Sequence, residues 1–258
     1  TGSGMSALLD VLSYNTHYLA MNMNMVANES FLDTASTRSA VVSHAKTLGY
    51  IPNSARAPIA DISVTLNDFG NLSTANIPVG TVFTTVIDDV NYQFVTVSEY
   101  NAQTTNNILS FPNVKIYEGT FVTNRYTVDA DNVDQKFYVN DENGDTTTLI
   151  VDVFDNSSST SSTTFTLATD TTQTASDSNV YFLQESVDGK FEIYLGDGII
   201  GKALSDGNIV RMRYVVTNKT NAYGACSFST SATISGITNI TSGTVSTASG
   251  GAVKESIQ

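Results

Sequence analysis

The sequence predicts an α+β protein, an N-terminal helical pair followed by mainly antiparallel, sandwich-like β-structure. Three observations lead there. Apolar residues recur at helical spacing only within 8–50. From Ile59 onward the apolar period is two. Polar turn clusters such as Asp68-Phe69-Gly70-Asn71, Asp88-Asp89 and Asp188-Gly189 then cut the chain into short segments, as expected of packed antiparallel strands.

In the first helix Leu9, Leu12, Thr16, Leu19, Met23 and Val26 follow one another at spacings of 3, 4, 3, 4 and 3. A second line, Leu8, Val11, Asn15, Tyr18, Asn22 and Met25, runs beside it. Two adjacent lines make a wide, mostly apolar face, with Asp10, His17 and Asn24 on the other side. Asn28-Glu29-Ser30 is a polar break, and helical spacing resumes from Phe31 to Leu48 through Ala35, Val41, Val42 and Ala45. Gly49 fits the residue just past a helix end, where a left-handed backbone is needed, and Pro52 prevents continuation. The pair reads as an αα-hairpin or kinked pair, packed either on its own domain or in an intermolecular bundle. For the bundle, the expected contact residues are Leu8, Leu9, Leu12, Leu19, Met23, Val26, Val41 and Leu48.

A first β-rich region is expected over 51–122. Ile62, Val64 and Leu66 alternate with polar residues, as do Val82, Thr84 and Val86. Tyr92-Gln93-Phe94-Val95-Thr96-Val97 places aromatics on one face and valines on the other, so partial cover of both faces is expected. A second β-rich region is expected over 123–222. Lys136–Val139 and Thr148–Val153 flank a turn-rich 140–145 and predict a hairpin. Val180–Glu185 and Phe191–Leu195 do the same around Asp188-Gly189, and Ile209–Val216 is the longest strand candidate. Asn156–Thr164 is a polar, low-complexity stretch read as an exposed loop. The remainder, 223–258, reads as a connector into a downstream segment; from Ser227, with Ile234, Ile237 and Ile240 interspersed, it reads either as a meandering strand or as a connector, and Val253–Gln258 as the first turn of something further.

Composition narrows the function. Apolar residues are 41% of the 258, which is ordinary, but charged residues are only 14%, well below the usual quarter. A surface that relies on Ser, Thr and Asn suits a subunit covered by neighbours. The net charge of −13, with 12 dispersed basic residues, argues against nucleic acid as a partner. Arg211 and Arg213 share a strand face, but two charges do not make a groove. No apolar run reaches membrane-spanning length, so no membrane partner is expected. The single cysteine, Cys226, excludes an intramolecular disulfide.

No chemical constellation emerges. His17 and His44 are two ligands at most, where a metal site needs three or four. Asp129, Asp131 and Asp134 with the 141–145 turn fail the calcium-loop pattern, because Gly144 falls at position four when counted from Asp141. Gly196-Asp197-Gly198 with Gly201-Lys202 has the wrong spacing for a phosphate loop and is read as a bulged hairpin. Cys226 and the serines lack a histidine partner, and acidic pairs are not distinguishable from background. No catalytic, metal or cofactor-binding residue is therefore assigned, and the chain is expected not to be an enzyme.

Specific blocks carry a family resemblance: Leu12-Ser13-Tyr14-Asn15-Thr16-His17-Tyr18, Asn28-Glu29, Phe31-Leu32-Asp33-Thr34-Ala35 and Val41-Val42-Ser43-His44-Ala45-Lys46. Later pieces agree in order: Pro78–Phe83, Tyr92-Gln93-Phe94, Tyr194–Gly201 with Asp206-Gly207-Asn208, and Gly250-Gly251-Ala252 with Glu255-Ser256. Together they resemble the N-terminal and middle part of the baseplate wedge proteins of contractile-tailed phages, in the baseplate-J family. The stretch from about Asp129 to Asp177 matches none of it. Thr1-Gly2-Ser3-Gly4 fits a cloning remnant, but the resembling family has a similar Gly/Ser approach to its first helix.

The resemblance implies a ring-forming virion scaffold around the tail tube, coupled to sheath contraction and assembled in the host bacterial cytoplasm. Its implied partners are a second copy, other wedge subunits and neighbouring wedges. The alternatives are the equivalent subunit of a phage-derived contractile injection machine, a β-rich adhesin or glycan-binding domain, and a tail-associated hydrolase.

Overall fold

The computed structural model describes residues 4–132, 135–169 and 174–256. Asp134 of the acidic cluster, Thr1–Ser3 and Ile257-Gln258 lie outside the described residues. The chain divides into two units: a helical one ending at Pro52 and joined by Gln184–Gly189, and a β unit of Asn53–Leu183 with Lys190–Glu255.

The helical unit holds α1 (Gly4–Glu29) and α2 (Arg38–Thr47). The second helix was expected from Phe31 but starts seven residues later. The reason is the junction between them. One Glu29 carboxylate oxygen accepts from the Ser36 amide (3.0 Å) and hydroxyl (2.6 Å), and the other from those of Thr37 (3.1 and 2.7 Å). These bonds satisfy amide groups that open the second helix and leave Phe31–Thr34 in turns. Helix α2 ends as expected. Gly49 sits at φ +77°, with its amide bonded to the Lys46 carbonyl and the Tyr50 amide to the Ala45 carbonyl, a Schellman cap.

The β unit contains fourteen strands among the described residues. Its first lobe is a five-stranded antiparallel sheet built from β1 (Ile59–Leu66), β3 (Val82–Ile87), β4 (Val90–Thr96), β6 (Leu109–Glu118) and β14 (Ile240–Ser249). The order is β14-β1-β6-β4-β3. A ribbon of β2 (Thr74–Ile77) and β5 (Tyr100–Gln103) joins it around one core. Burial along β1 alternates as predicted, with Ala60, Ile62, Val64 and Leu66 inside. In β3 the inward face is Phe83 and Thr85, while Val86 is exposed. Strand β6 tolerates Pro112 inside a sheet because the register with β1 slips there: Ile62 faces Val114 but Val64 faces Phe111. A bulge removes the need for proline's missing N–H.

The second lobe is a seven-stranded sheet of β7 (Thr120–Thr127), β8 (Phe137–Val139), β9 (Gly144–Phe154), β10 (Thr163–Leu167), β11 (Val180–Glu185), β12 (Phe191–Leu195) and β13 (Ile209–Val216). Its order is β7-β13-β9-β10-β11-β12-β8. The two ends approach each other, with the Tyr126 hydroxyl donating to the Tyr138 carbonyl at 2.8 Å and Tyr126 packing on Phe137, so the sheet curls into a near-barrel.

Two expectations need correction. Strands β8 and β9 flank a turn but do not pair: β8 pairs with β12, and β9 with β13 and β10. An eleven-residue strand buried at most positions needs long partners on both edges, which a three-residue β8 cannot supply. The glycine-rich 196–201 segment is not a hairpin, since β12 and β13 are not neighbours. It is a tight loop in which a Cβ on Gly196 would lie 2.2 Å from the Gly201 backbone. Of the two readings left open for the tail, the structure forms the strand. Its β14 pairs with β1 over Ile59–Leu66, and Ala225, Phe228, Ile234 and Ala248 join the first core.

The two lobes share residues. Phe94 enters the first core, while Val95 on the opposite face of β4 packs with Ala57 and Val215, the two-sided burial predicted for that strand. Glu118, fully buried, accepts from the Thr217 hydroxyl (2.7 Å), the Asn218 amide (2.9 Å) and the Asn218 side chain (2.7 Å). Next to it Gly119, at φ +126°, lies so close to Val216 that a Cβ would sit 2.2 Å from that carbonyl oxygen.

Candidate assembly interface

A helix of 26 residues is about 39 Å long. In α1 that length carries Leu8, Leu9, Val11, Leu12, Tyr14, Tyr18, Leu19, Met23 and Val26, and it buries none of its residues. Leu9 is 59% exposed, Leu19 63% and Val26 67%. Its acidic residues are Asp10 and Glu29, near its two ends. An amphipathic helix normally hides its apolar stripe, and helices this long draw most of their stability from such packing.

Of the eight residues expected at an interface, six therefore stand exposed on one helix. Val41 is half-buried in α2, and Leu48 is exposed at its C-terminal end. The residue α2 does bury is Val42. The junction orders the pair: His44 Nε2 donates to the Glu29 carbonyl at 3.0 Å. In the same unit Arg38 makes a two-point ion pair with Glu185, at 2.7 and 2.9 Å. Hydrogen bonds from the Ser36 and Thr37 side chains and amides hold the Glu29 carboxyl well below its ordinary value, at about 2. Sequence reading missed this clamp, although Glu29 followed at 36–37 by Ser-Thr was its visible trace.

The β unit offers no comparable chemistry. Among the described residues no group of three or more His, Cys, Asp or Glu side chains could hold a metal ion. No helix among them is long and apolar enough to cross a membrane. The buried carboxylates all have structural partners. Glu118 holds Thr217 and Asn218, and Asp145 accepts the Ala57 amide at 2.8 Å. Lys136 pairs with Glu192 at 2.9 Å, and Arg211 and Arg213 both pair with Asp152. Two open grooves of about 410 and 570 Å³ are lined by turn and ribbon residues around Asp68 and Asn76.

The helical unit thus exposes a long apolar helix, and the buried carboxylates of the β unit named above have partners within the fold. Comparison with known proteins shows that the chain belongs to the gp6-like baseplate wedge family. Residues 1–50 match the family described as baseplate wedge protein gp6-like, helical domain. The chain is also similar to the baseplate wedge protein gp6 of Enterobacteria phage T4, with 30% identity over 268 residues. That alignment takes in 93% of this chain and 38% of the relative, so the chain spans well under half the length of the protein it matches.

Proposed function

We propose that this chain is part of a structural subunit of a phage tail baseplate wedge, a non-enzymatic member of the wider baseplate-J group. In this reading α1 and α2 join a bundle with a second copy and another wedge subunit. The β unit helps form a ring around the tail tube, contacts neighbouring wedges and couples to sheath contraction. The subunit resides in the virion tail and is assembled in the host cytoplasm.

One observation carries the reading: α1 leaves its whole apolar length exposed within the very segment that matches the wedge helical domain. Covering it requires other helices. Fully burying one leucine contributes about 2 kcal/mol, so several together outweigh the loss of freedom on association. Cryo-electron microscopy of the intact particle tests the proposal. The expected result is density for this chain in the baseplate, with residues 8–48 inside a multi-chain helical bundle. Density elsewhere in the particle, or a helical pair covered by no other chain, overturns it.

A further inference from the structure

The outer face of the second lobe carries a charge arrangement that folding alone does not favour. Arg125 on β7 lies directly opposite Arg211 on β13, and Arg211 directly opposite Asp152 on β9. Like charges facing each other across a sheet are destabilising. Arg213 sits two residues along the same face. Asp152, buried, binds the Arg211 and Arg213 guanidiniums at 2.8 and 2.9 Å and accepts the Thr164 hydroxyl at 2.9 Å. Burial alone would raise the Asp152 pKa, but the hydrogen bonds from Arg211 and Thr164 and the charges of both arginines outweigh it and lower it. One carboxylate thus answers three guanidiniums, and the row keeps two positive charges in a chain of net charge −13.

The row is also held in place. Phe154 lies under both Arg211 (4.7 Å) and Arg125 (5.7 Å), and Phe121 under Arg213 (5.9 Å). The buried Arg213 Nε donor has no acceptor, and among the described residues Arg125 has no carboxylate partner. A hollow of about 120 Å³ lined by Arg125, Phe154, Ser157 and Ile209 adjoins the row. It has the size of a small aliphatic side chain.

The chain carries a matching counterpart. Strands β3 and β4 meet through a two-residue turn, Asp88-Asp89, with Ile87 paired to Val90. Both aspartates have left-handed backbones, φ +48° and +63°, a tight hairpin turn in which Gly or Asn is usual at the second position. The tip therefore presents two exposed carboxylates flanked by Val86 and Val90, 64% and 50% exposed. We propose that the Arg125-Arg211-Arg213 row receives the Asp88-Asp89 hairpin tip of a second copy of this chain, with a flanking valine in the hollow. Row and tip lie on different lobes, so the contact joins unlike patches and propagates from copy to copy, as ring contacts do. This rests on the wedge reading, in which copies stand side by side, but it does not use the α1 seam. A nucleic-acid partner is disfavoured because the rest of the chain repels a polyanion.

The test uses Arg125→Lys, which keeps the charge and introduces an amine that a carbodiimide can join to a carboxylate. A mixture of isotopically light and heavy full-length chains is cross-linked and digested. The expected product joins position 125 of one copy to Asp88 or Asp89 of another, both in otherwise unchanged protein and in the Leu12→Asp/Leu19→Asp background. Reversing the tip with Asp88→Lys/Asp89→Lys should reduce self-association in that background about tenfold, because like charges are then juxtaposed. Mixing that protein with Arg125→Glu should restore it. The proposal is overturned if position 125 joins only other carboxylates or only its own chain, or if charge reversal leaves association unchanged. Charge-dependent binding of a single-stranded oligonucleotide by the row overturns it as well. Any of these results leaves the α1 bundle standing, so the two readings fail separately.

Discussion

Helix α1 and strand β1 are both periodic and apolar, yet they end in opposite states. Strand β1 buries Ala60, Ile62, Val64 and Leu66, each at most 1% exposed, between β14 and β6. Helix α1 buries nothing. Periodicity says which side chains want a covering surface; it does not say whether that surface is in the same chain. The β unit closes on itself, since its two sheets and shared cluster of Ala57, Val95 and Val215 bury the inward face of nearly every strand. Among the described residues the helices of the helical unit bury a single side chain, Val42, and in the proposed wedge α1 draws its stability from association.

The sharpest way to break this comparison is to charge the apolar length of α1. Leu12→Asp with Leu19→Asp should abolish assembly through α1, leaving only the weaker association between the arginine row and the hairpin tip, because each carboxylate would be buried without a partner. The melting of the β unit should not change. Sedimentation across protein concentration checks the first outcome and thermal circular dichroism the second. The unsubstituted chain should associate through 8–48, and a variant beginning near Ile51 should be the more soluble. A strictly monomeric parent, or a double variant that associates like the parent, would show that α1 is not a seam.

The converse substitution belongs at the junction of the two β lobes. Glu118→Ala removes the acceptor for three donors in a buried setting. It should cost about 3 kcal/mol, as an unsatisfied buried donor costs about 1–3 kcal/mol and neighbouring bonds weaken together. Gly119→Ala should be as severe, since it adds a Cβ 2.2 Å from the Val216 oxygen at φ +126°. Chemical denaturation followed by near-ultraviolet circular dichroism measures both. Assembly through α1 at low denaturant should survive, so the two substitution classes should separate cleanly.

Much of this was legible in the sequence where a pattern is local. The end of α1 at a polar break, Gly49 as the cap, the alternation of β1 and the two covered faces of β4 all follow from neighbours within a few residues. What was misread or left open was non-local. Strand β14 is rich in Ser, Thr and Gly and mostly exposed; nothing in its composition says that it pairs with a strand about 180 residues earlier. The four-residue β2 and β5 are too short to show a period. Strand β8 follows turn chemistry suited to a hairpin, yet β9 takes longer partners. Arg125 joins Arg211 and Arg213 only through pairing of β7 with β13, so the sequence showed two arginines where the sheet assembles three. The start of α2 was hidden because the Glu29 clamp uses side chains seven and eight positions on.

That clamp makes the junction of the helical unit acid-sensitive. Glu29 is held at about 2 by the Ser36 and Thr37 donors, against an ordinary value near 4.5. A depressed carboxyl contributes stability that is fully present above the unfolded value and is lost as pH falls through the folded one. The junction should therefore loosen between about pH 4.5 and pH 2 and not above. Amide exchange at Ser36 and Thr37, measured down that range, checks the sign. Glu29→Gln should remove the pH dependence there. Protection at 36–37 that stays constant to pH 2 would mean the carboxylate does not hold the turn.

The smallest effect compares one kind of strain in both units. Gly49 and Gly207 have nearly the same left-handed backbone, φ +77° and +78°, and a Cβ at either would meet nothing within 4 Å. Alanine at each position should thus cost only the left-handed penalty of an L-residue, about 1 kcal/mol. The readout should differ. Gly207 lies in a turn whose amide bonds the Val128 carbonyl inside the β unit, where unfolding is expected to be cooperative, so Gly207→Ala should lower the melting temperature of the whole unit. Gly49 caps a ten-residue helix with one buried side chain. Gly49→Ala should fray the last turn of α2 and raise amide exchange at Gly49 and Tyr50, while the β melt stays where it was. If Gly49→Ala lowers the β melt as much as Gly207→Ala does, the helical pair and the β unit unfold as one body, and the contrast between a self-contained unit and a partner-dependent one fails.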